Sequence, residues 1–244
     1  MAGIIELKNV SFSAQTRQVI EDISYEFEAS KTTALIGPSG GGKSTVLKLA
    51  AGIMVPDTGA ALFKGKDITK MSRAENLEFR REAAVVFQDS ALWANQNLFQ
   101  ILELPLRIHF PAMTKNERKQ RIKSVAAEVG YRKSLDIRPA QLSMGEQKLI
   151  GFARALLCHP NLLYLDEFTE SLDKGSAQHL VSIVKQKKSE GATVIFVSHD
   201  MQIVKNLADT ILMIAEGRIA MEISKEQFAK DEDIMRYVKT EIAS

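Results

Sequence analysis

The stretch LIGPSGGGKSTVLKLAAG, residues 35–52, constrains this chain more than any other. An apolar run breaks into glycines, one lysine and two hydroxyls, and an amphipathic helical pattern follows. Gly37, Pro38, Ser39, Gly40, Gly41, Gly42, Lys43 and Ser44 fit the spacing G-x-x-x-x-G-K-[ST]. The glycines let successive backbone N–H groups converge on phosphate oxygens that side chains would crowd. Lys43 meets the β- and γ-phosphates, Ser44 places a hydroxyl on Mg²⁺, and Thr45 completes the loop at the helix start. The helix adds its positive N-terminal end, and Gly52 reads as its C-terminal cap.

Such a loop needs a sheet behind it. Short β-branched runs recur as TTALIG, AAVVFQ, NLLYLDE and TVIFVSHD, each apolar without alternation, as in strands buried on both faces. Helical patterns separate most of them, which predicts an α/β fold: a P-loop NTPase core with a largely parallel sheet. IIELKNVSFS and ISYEFEA alternate more and predict an antiparallel β-subdomain packed on that core. ILMIAEGRIAMEI reads as a hairpin turning at Glu216-Gly217. Residues 89–158 have few β runs, a helical stretch KNERKQRIKSVAAEVG and boundaries at Pro105, Pro111 and Pro139. They read as a helical subdomain inserted between core segments 1–88 and 159–223, with 224–244 as a C-terminal helix.

Composition adds exclusions. The 244 residues are 45% apolar and 25% charged with net charge +2, so no nucleic-acid surface is called for. The basic run Lys185 to Lys188 reads as a solvated helix face. A single cysteine, Cys158 in ARALLCHP, rules out an internal disulfide and reads as a buried structural thiol in a reducing compartment. No secretory signal is expected at the start, and the apolar runs are strand-sized, far short of a membrane span. The expectation is a cytoplasmic protein that reaches a membrane through a partner.

Two strand ends carry further chemistry. NLLYLDEFTESLD puts Asp166 and Glu167 at the end of a buried strand, where Asp166 would hold the Mg²⁺ shell and Glu167 would orient or deprotonate water. VIFVSHD ends with His199, placed to reach a γ-phosphate, and Asp200 reads as a helix cap. Gln88, ending AAVVFQ, offers a neutral amide to Mg²⁺ or its water and to the helical insertion. In QLSMGEQKLIGFARALLCHP, Ser143 and Glu146 form a capping box, and Gly145 leaves the helix start bare for an anion.

With these motifs in order, the chain resembles the ATP-binding cassette (ABC) superfamily. LSMGEQ is similar to that family's signature, usually LSGGQ; the phosphate loop, Gln88, the acidic strand end, SLD and SHD keep the family's order. The resemblance implies ATP and Mg²⁺, and a head-to-tail pair of subunits, here expected as a homodimer. Each ATP would lie between one subunit's phosphate loop and its partner's signature helix. Ser143 and Gly145 would meet the γ-phosphate held at the other subunit's Lys43, with Asp173 beside that subunit's phosphate loop.

The sequence also departs from the family pattern. Ala14 stands where an aromatic residue usually stacks on adenine, and strand parity puts Phe12 in the core, so weaker affinity or relaxed base preference is expected. Met144 and Glu146 replace a signature glycine and glutamine, Phe168 a common proline, and Ser30-Lys31 a Gly-Glu pair. PLRIH, within 105–109, is similar to ATPases of MCE-type (mammalian-cell-entry) lipid transporters. That likeness implies an integral membrane permease, an MCE-domain protein and a phospholipid or other hydrophobic substrate. The bland alternative is that Leu92, Trp93, Leu98 and Phe99 line a groove that any permease would use. A non-transport ABC ATPase, or an ATP-dependent scaffold or regulatory module, is the other class.

Overall fold

In the computed structural model, residues 3–230 are described, and they build two sheets around a helix. The larger sheet has the order β10-β9-β3-β8-β7-β6. Its parallel strands are β3 (Thr32–Ile36), β6 (Ala83–Val86), β7 (Leu162–Asp166), β8 (Thr193–Val197) and β9 (Thr210–Ala215); β10 (Arg218–Ser224) is antiparallel. The smaller sheet is antiparallel throughout: β1 (Gly3–Ala14), β2 (Arg17–Glu28), β4 (Thr58–Phe63) and β5 (Lys66–Asp67), in the order β2-β1-β4-β5.

Continuous apolar strands follow from burial on both faces. Leu163 and Leu165 of β7 enter one core, while Leu162 and Tyr164 enter the other. Helix α1 (Lys43–Ala50) fills the space between the two sheets with Val46, Leu47 and Leu49, against Ile5 and Val10 of β1 and Leu35 of β3. The C-terminal end of α1 is a Schellman motif: Gly52 takes φ 59°, its N–H donates to Leu49, and that of Ile53 to Lys48. Between β9 and β10, Glu216 (φ 49°) and Gly217 (φ 75°) make the expected two-residue turn.

The opposite face of the large sheet carries the other helices. These are α2 (Arg73–Glu82), α3 (Leu98–His109), α4 (Lys115–Glu128), α5 (Met144–Leu156), α6 (Lys174–Ser189), α7 (Met201–Leu207) and α8 (Lys225–Lys230). Of these, α2 is the exception, since its Phe79 joins the core around α1. No strand lies in 89–158, but Leu102, Ile122 and Phe152 share one continuous core with Leu163 and Phe196.

Several expectations need correction. Pro105 does not bound a helix; it lies inside α3. Losing one backbone bond there costs about 3 kcal/mol. Burial of Leu98, Ile101, Leu102 and Leu106, with the Asn97–Gln100 capping box, outweighs that. Leu98 lines no groove, because it is fully buried. The basic run is only partly solvated: Lys188 donates to Leu207 O (2.8 Å) and Asp209 Oδ1 (2.6 Å), tying α6 to the start of β9. Only the first turns of the expected C-terminal helix, Lys225–Lys230, fall in the described residues; the remainder of that expectation, to 244, lies outside them. Cys158 is half-buried, and burial pushes its thiol up to about 11, the inert end of thiol behaviour.

Two departures have packing reasons. Phe168 is fully buried and stacks on Phe152 of α5, with centroids 6.0 Å apart. It anchors the segment after Glu167 to the helix that begins at the signature. Ser30 holds a left-handed turn (φ 59°), where its hydroxyl donates to Gly191 O (2.9 Å) and its N–H to Thr193 Oγ1 (2.8 Å). Those two bonds support a conformation that glycine adopts without strain.

Candidate active site

Parallel strands deliver their carboxyl ends to one edge of the sheet, where open α/β folds bind ligands. From β3 springs the phosphate loop, from β6 Gln88, from β7 Asp166 and Glu167, and from β8 His199. A cavity of about 370 Å³ opens there, bordered by Ser39, Gly40, Gly42, Lys43, Ser44, Thr45, Gln88, Glu167, Val197, His199 and Val19. Val19 escaped sequence reading. It comes from β2 of the other sheet, and nothing in its local pattern marks it. Ala14 is exposed and not among those lining residues, while Phe12 is half-buried against the core, as its parity suggested.

The loop is shaped by close backbone approach. A Cβ on Gly37 would sit 2.0 Å from Ile214 O, and φ there is +138°. Gly42 caps α1 in a left-handed conformation with no side-chain cap, so the first-turn N–H groups keep no side-chain acceptor at that position. Lys43 is 6% exposed, and its ammonium donates to Gly37 O (2.9 Å) and Pro38 O (2.7 Å). Burial lowers its pKa, and the carboxylates of Glu167 and Asp166 push it back up.

Ser44 Oγ donates to Asp166 Oδ1 at 2.8 Å. A hydroxyl and a buried carboxylate form a hard oxygen pair, the donor type that Mg²⁺ uses together with substrate phosphates. Gln88 borders the cavity, but its amide donates to Glu170 Oε2 (2.9 Å) and not toward the Ser44–Asp166 pair.

Glu167 is strongly perturbed. Its backbone is left-handed (φ 44°), and its Oε1 is buried without a hydrogen-bond partner. Burial raises its pKa to about 7, helped by Asp166 and Glu170 and opposed by the His199 backbone N–H and Lys43. A carboxylate poised there can take a proton from water near neutral pH. His199 Nε2 lies 3.4 Å from Glu167 Oε1. Burial and Lys43 lower the imidazole's pKa and so favour the neutral ring, while Glu170 pulls it back toward the charged form.

Ser143, Gly145 and Asp173 do not border this cavity. Ser143 caps α5: its Oγ accepts from Glu146 N (3.2 Å), and its N–H donates to Glu146 Oε2 (3.0 Å). Glu146 brings a negative charge to this helix start, and Lys133 answers it at 2.6 Å. Met144 is 72% exposed. A Cβ on Gly145 would lie 3.0 Å from Ser171 O, so α5 sits tightly against the turn after Glu167. Asp173 caps α6 by accepting from Ser176 N (3.0 Å), and its bonds from Ser176 hold its carboxyl below the usual range. Asp200 likewise caps α7, accepting from Gln202 N (2.7 Å).

A phosphate loop feeding a helix, with an acidic strand end beside it on a mostly parallel sheet, defines a P-loop nucleotide hydrolase. Residues 20–170 match the family described as ABC transporter, more than half of the chain. The chain belongs to that family, as an ATP-binding, ATP-hydrolysing subunit. It is 32% identical over 242 residues to the intermembrane phospholipid transport system ATP-binding protein MlaF of Haemophilus influenzae, covering 98% of this chain and 91% of that protein. It is also 32% identical over 222 residues to the methionine import ATP-binding protein MetN of Brucella abortus, covering 91% of this chain and 60% of MetN. Among solved structures, the dimeric structure of MJ0796, a bacterial ABC transporter cassette, aligns with TM-score 0.84 at 25% identity, covering 91% of this chain and 98% of that one.

Proposed function

We propose that the chain is the ATPase subunit of a transporter for phospholipid or another hydrophobic substrate, working as a head-to-tail homodimer on a membrane permease. The observation that carries the motor half is a split one. Lys43, Ser44 and Glu167 converge on one cavity, while Ser143, Gly145 and Asp173 stand outside it. A site divided in this way needs a second chain, and the dimeric cassette similar to this one supports that arrangement.

Phosphates of ATP would rest on the loop from Gly37 to Thr45 and on Lys43. Ser44 and Asp166 would hold Mg²⁺, which would neutralise phosphate charge; Gln88 would border it. Glu167 accepts a proton from water, and His199, held neutral, contributes a polar contact at the γ-phosphate. Ser143 and Gly145 would serve the partner's nucleotide, with Asp173 beside them. Residues 89–158 would act as a helical arm against the permease. Among the described residues no helix is long and apolar enough to cross a membrane. A groove of about 420 Å³, lined by Trp93, Leu104, Pro105 and Ile108 with Arg80 and Arg81, would take a permease segment at the membrane's cytoplasmic face.

The lipid half rests on likeness to MlaF over 98% of this chain and on PLRIH, whose Pro105 and Ile108 line that groove. The test is a gentle-detergent pull-down of the tagged protein from its native cells, followed by mass spectrometry of proteins and lipids. Co-purification of a multi-span permease with an MCE-domain protein and phospholipid is expected. A permease with a methionine-binding protein would overturn the lipid half and leave the motor intact.

A further inference from the structure

Lys148, on the second turn of α5, is 2% exposed and has no part in the phosphate chemistry described above. Its ammonium donates to the carbonyl of Gln88 and, at 3.2 Å, to the carbonyl of Glu167. Both carbonyls belong to residues that border the chain's own nucleotide cavity. Burial lowers the lysine's pKa, while Glu170, Asp166, Glu167 and Asp89 favour its charged form. The left-handed Glu167 is thereby held from both sides: its N–H donates to Val197 O (3.2 Å), and its carbonyl accepts from Lys148 and from Glu170 N (3.1 Å). Strained backbone of this kind persists only where the surroundings over-determine it.

The same helix begins at Ser143 and Gly145, the residues assigned to the partner's ATP. One turn of rigid helix therefore separates a contact with one nucleotide from a grip on the backbone around the other.

We propose that Lys148 is a positioning residue that couples the two ATP sites of the dimer, because it holds the Gln88 and Glu167 backbone from the helix whose start serves the partner's nucleotide. This rests on the composite-site reading above. A nucleotide that draws Gln88 or Glu167 moves the carbonyls that Lys148 holds, and α5 carries the displacement to the other site. By linkage the coupling in binding runs equally in both directions. A lysine that merely satisfies two buried carbonyls would matter for stability alone.

The experiment uses the full chain as wild type, Lys148→Met, which keeps length without charge, and Lys148→Gln, which keeps donors without charge. ATP hydrolysis is followed against ATP concentration, and binding of a fluorescent ATP analogue is measured on the monomer. Wild type is expected to show a Hill coefficient above 1. Lys148→Met should fall to about 1 with kcat reduced about tenfold or more, while analogue affinity changes by less than about twofold. Lys148→Gln should lie between. Unchanged Hill coefficient and kcat in the variants, beside a cooperative wild type, would overturn the role of Lys148 alone. So would activity lost only in proportion to folded fraction by circular dichroism. A wild type that neither hydrolyses nor dimerises with ATP would remove the composite site, and this proposal with it.

Discussion

Replacing Glu167 by Gln should make the nucleotide-free protein more stable at alkaline pH. Folding raises the Glu167 pKa from 4.5 to about 7, chiefly because the carboxylate is buried. Its side chain is 12% exposed, so solvent screens this shift only weakly. The sign follows from proton linkage. Below about pH 4.5 both folded and unfolded states hold the proton, and the site costs nothing. Between about 4.5 and 7 the unfolded chain ionises first, so stability is lost as pH rises. Above about 7 the full cost is present. That rise corresponds to roughly 3 kcal/mol, an upper value because the folded site relaxes. For a chain of this length that is a midpoint rise of up to about 6–12 °C. Thermal unfolding of wild type and Glu167→Gln at pH 5 and pH 8 measures it. The gap should widen from about 1 kcal/mol or less at pH 5 to a clear advantage for the variant at pH 8. A variant equal to or less stable than wild type at pH 8 would refute the claim that burial strains this carboxylate.

Other outcomes follow from the same geometry. The kcat/KM for ATP should rise about tenfold per pH unit below about pH 7 and level off above it, as Glu167 of the free enzyme loses its proton; a flat profile from pH 5.5 to 8 would remove Glu167 as the base. Gly37→Ala should abolish binding of a fluorescent ATP analogue and lower the melting temperature, because the new Cβ would meet Ile214 O at 2.0 Å. Leu98→Ala, at a fully buried position, should cost about 2–5 kcal/mol in denaturant unfolding; a cost below about 1 kcal/mol would mean that Leu98 faces a groove after all. Trp93→Ala, at a residue 45% exposed in the groove, should reduce recovery of the permease in pull-downs without lowering the melting temperature.

The phosphate loop, the two-faced strands, the Ser143–Glu146 capping box and the Glu216-Gly217 turn were all legible because each is set by residues a few positions apart. What the sequence hid is tertiary. Lys148 sits in a helical pattern where a lysine normally reaches solvent, and only the packing of α5 on the Glu167 turn buries it. Gln88 was readable as a polar residue at a strand end, but its partner Glu170 lies 82 residues away. Pro105 misled because a proline's penalty is local, while the apolar burial that overrides it comes from other helices. Phe168 and Ser30 broke family patterns, and their reasons, an aromatic stack and a serine-braced turn, lie with residues brought close only by folding.

The claim at the centre is that the chain carries half of each ATP site. Light scattering of Glu167→Gln with and without ATP tests it most directly, since the variant should bind nucleotide and fail to hydrolyse it. A mass of 27.1 kDa that doubles only when ATP is present is the predicted result. A mass that stays monomeric while the variant demonstrably holds ATP would contradict a site shared between two chains.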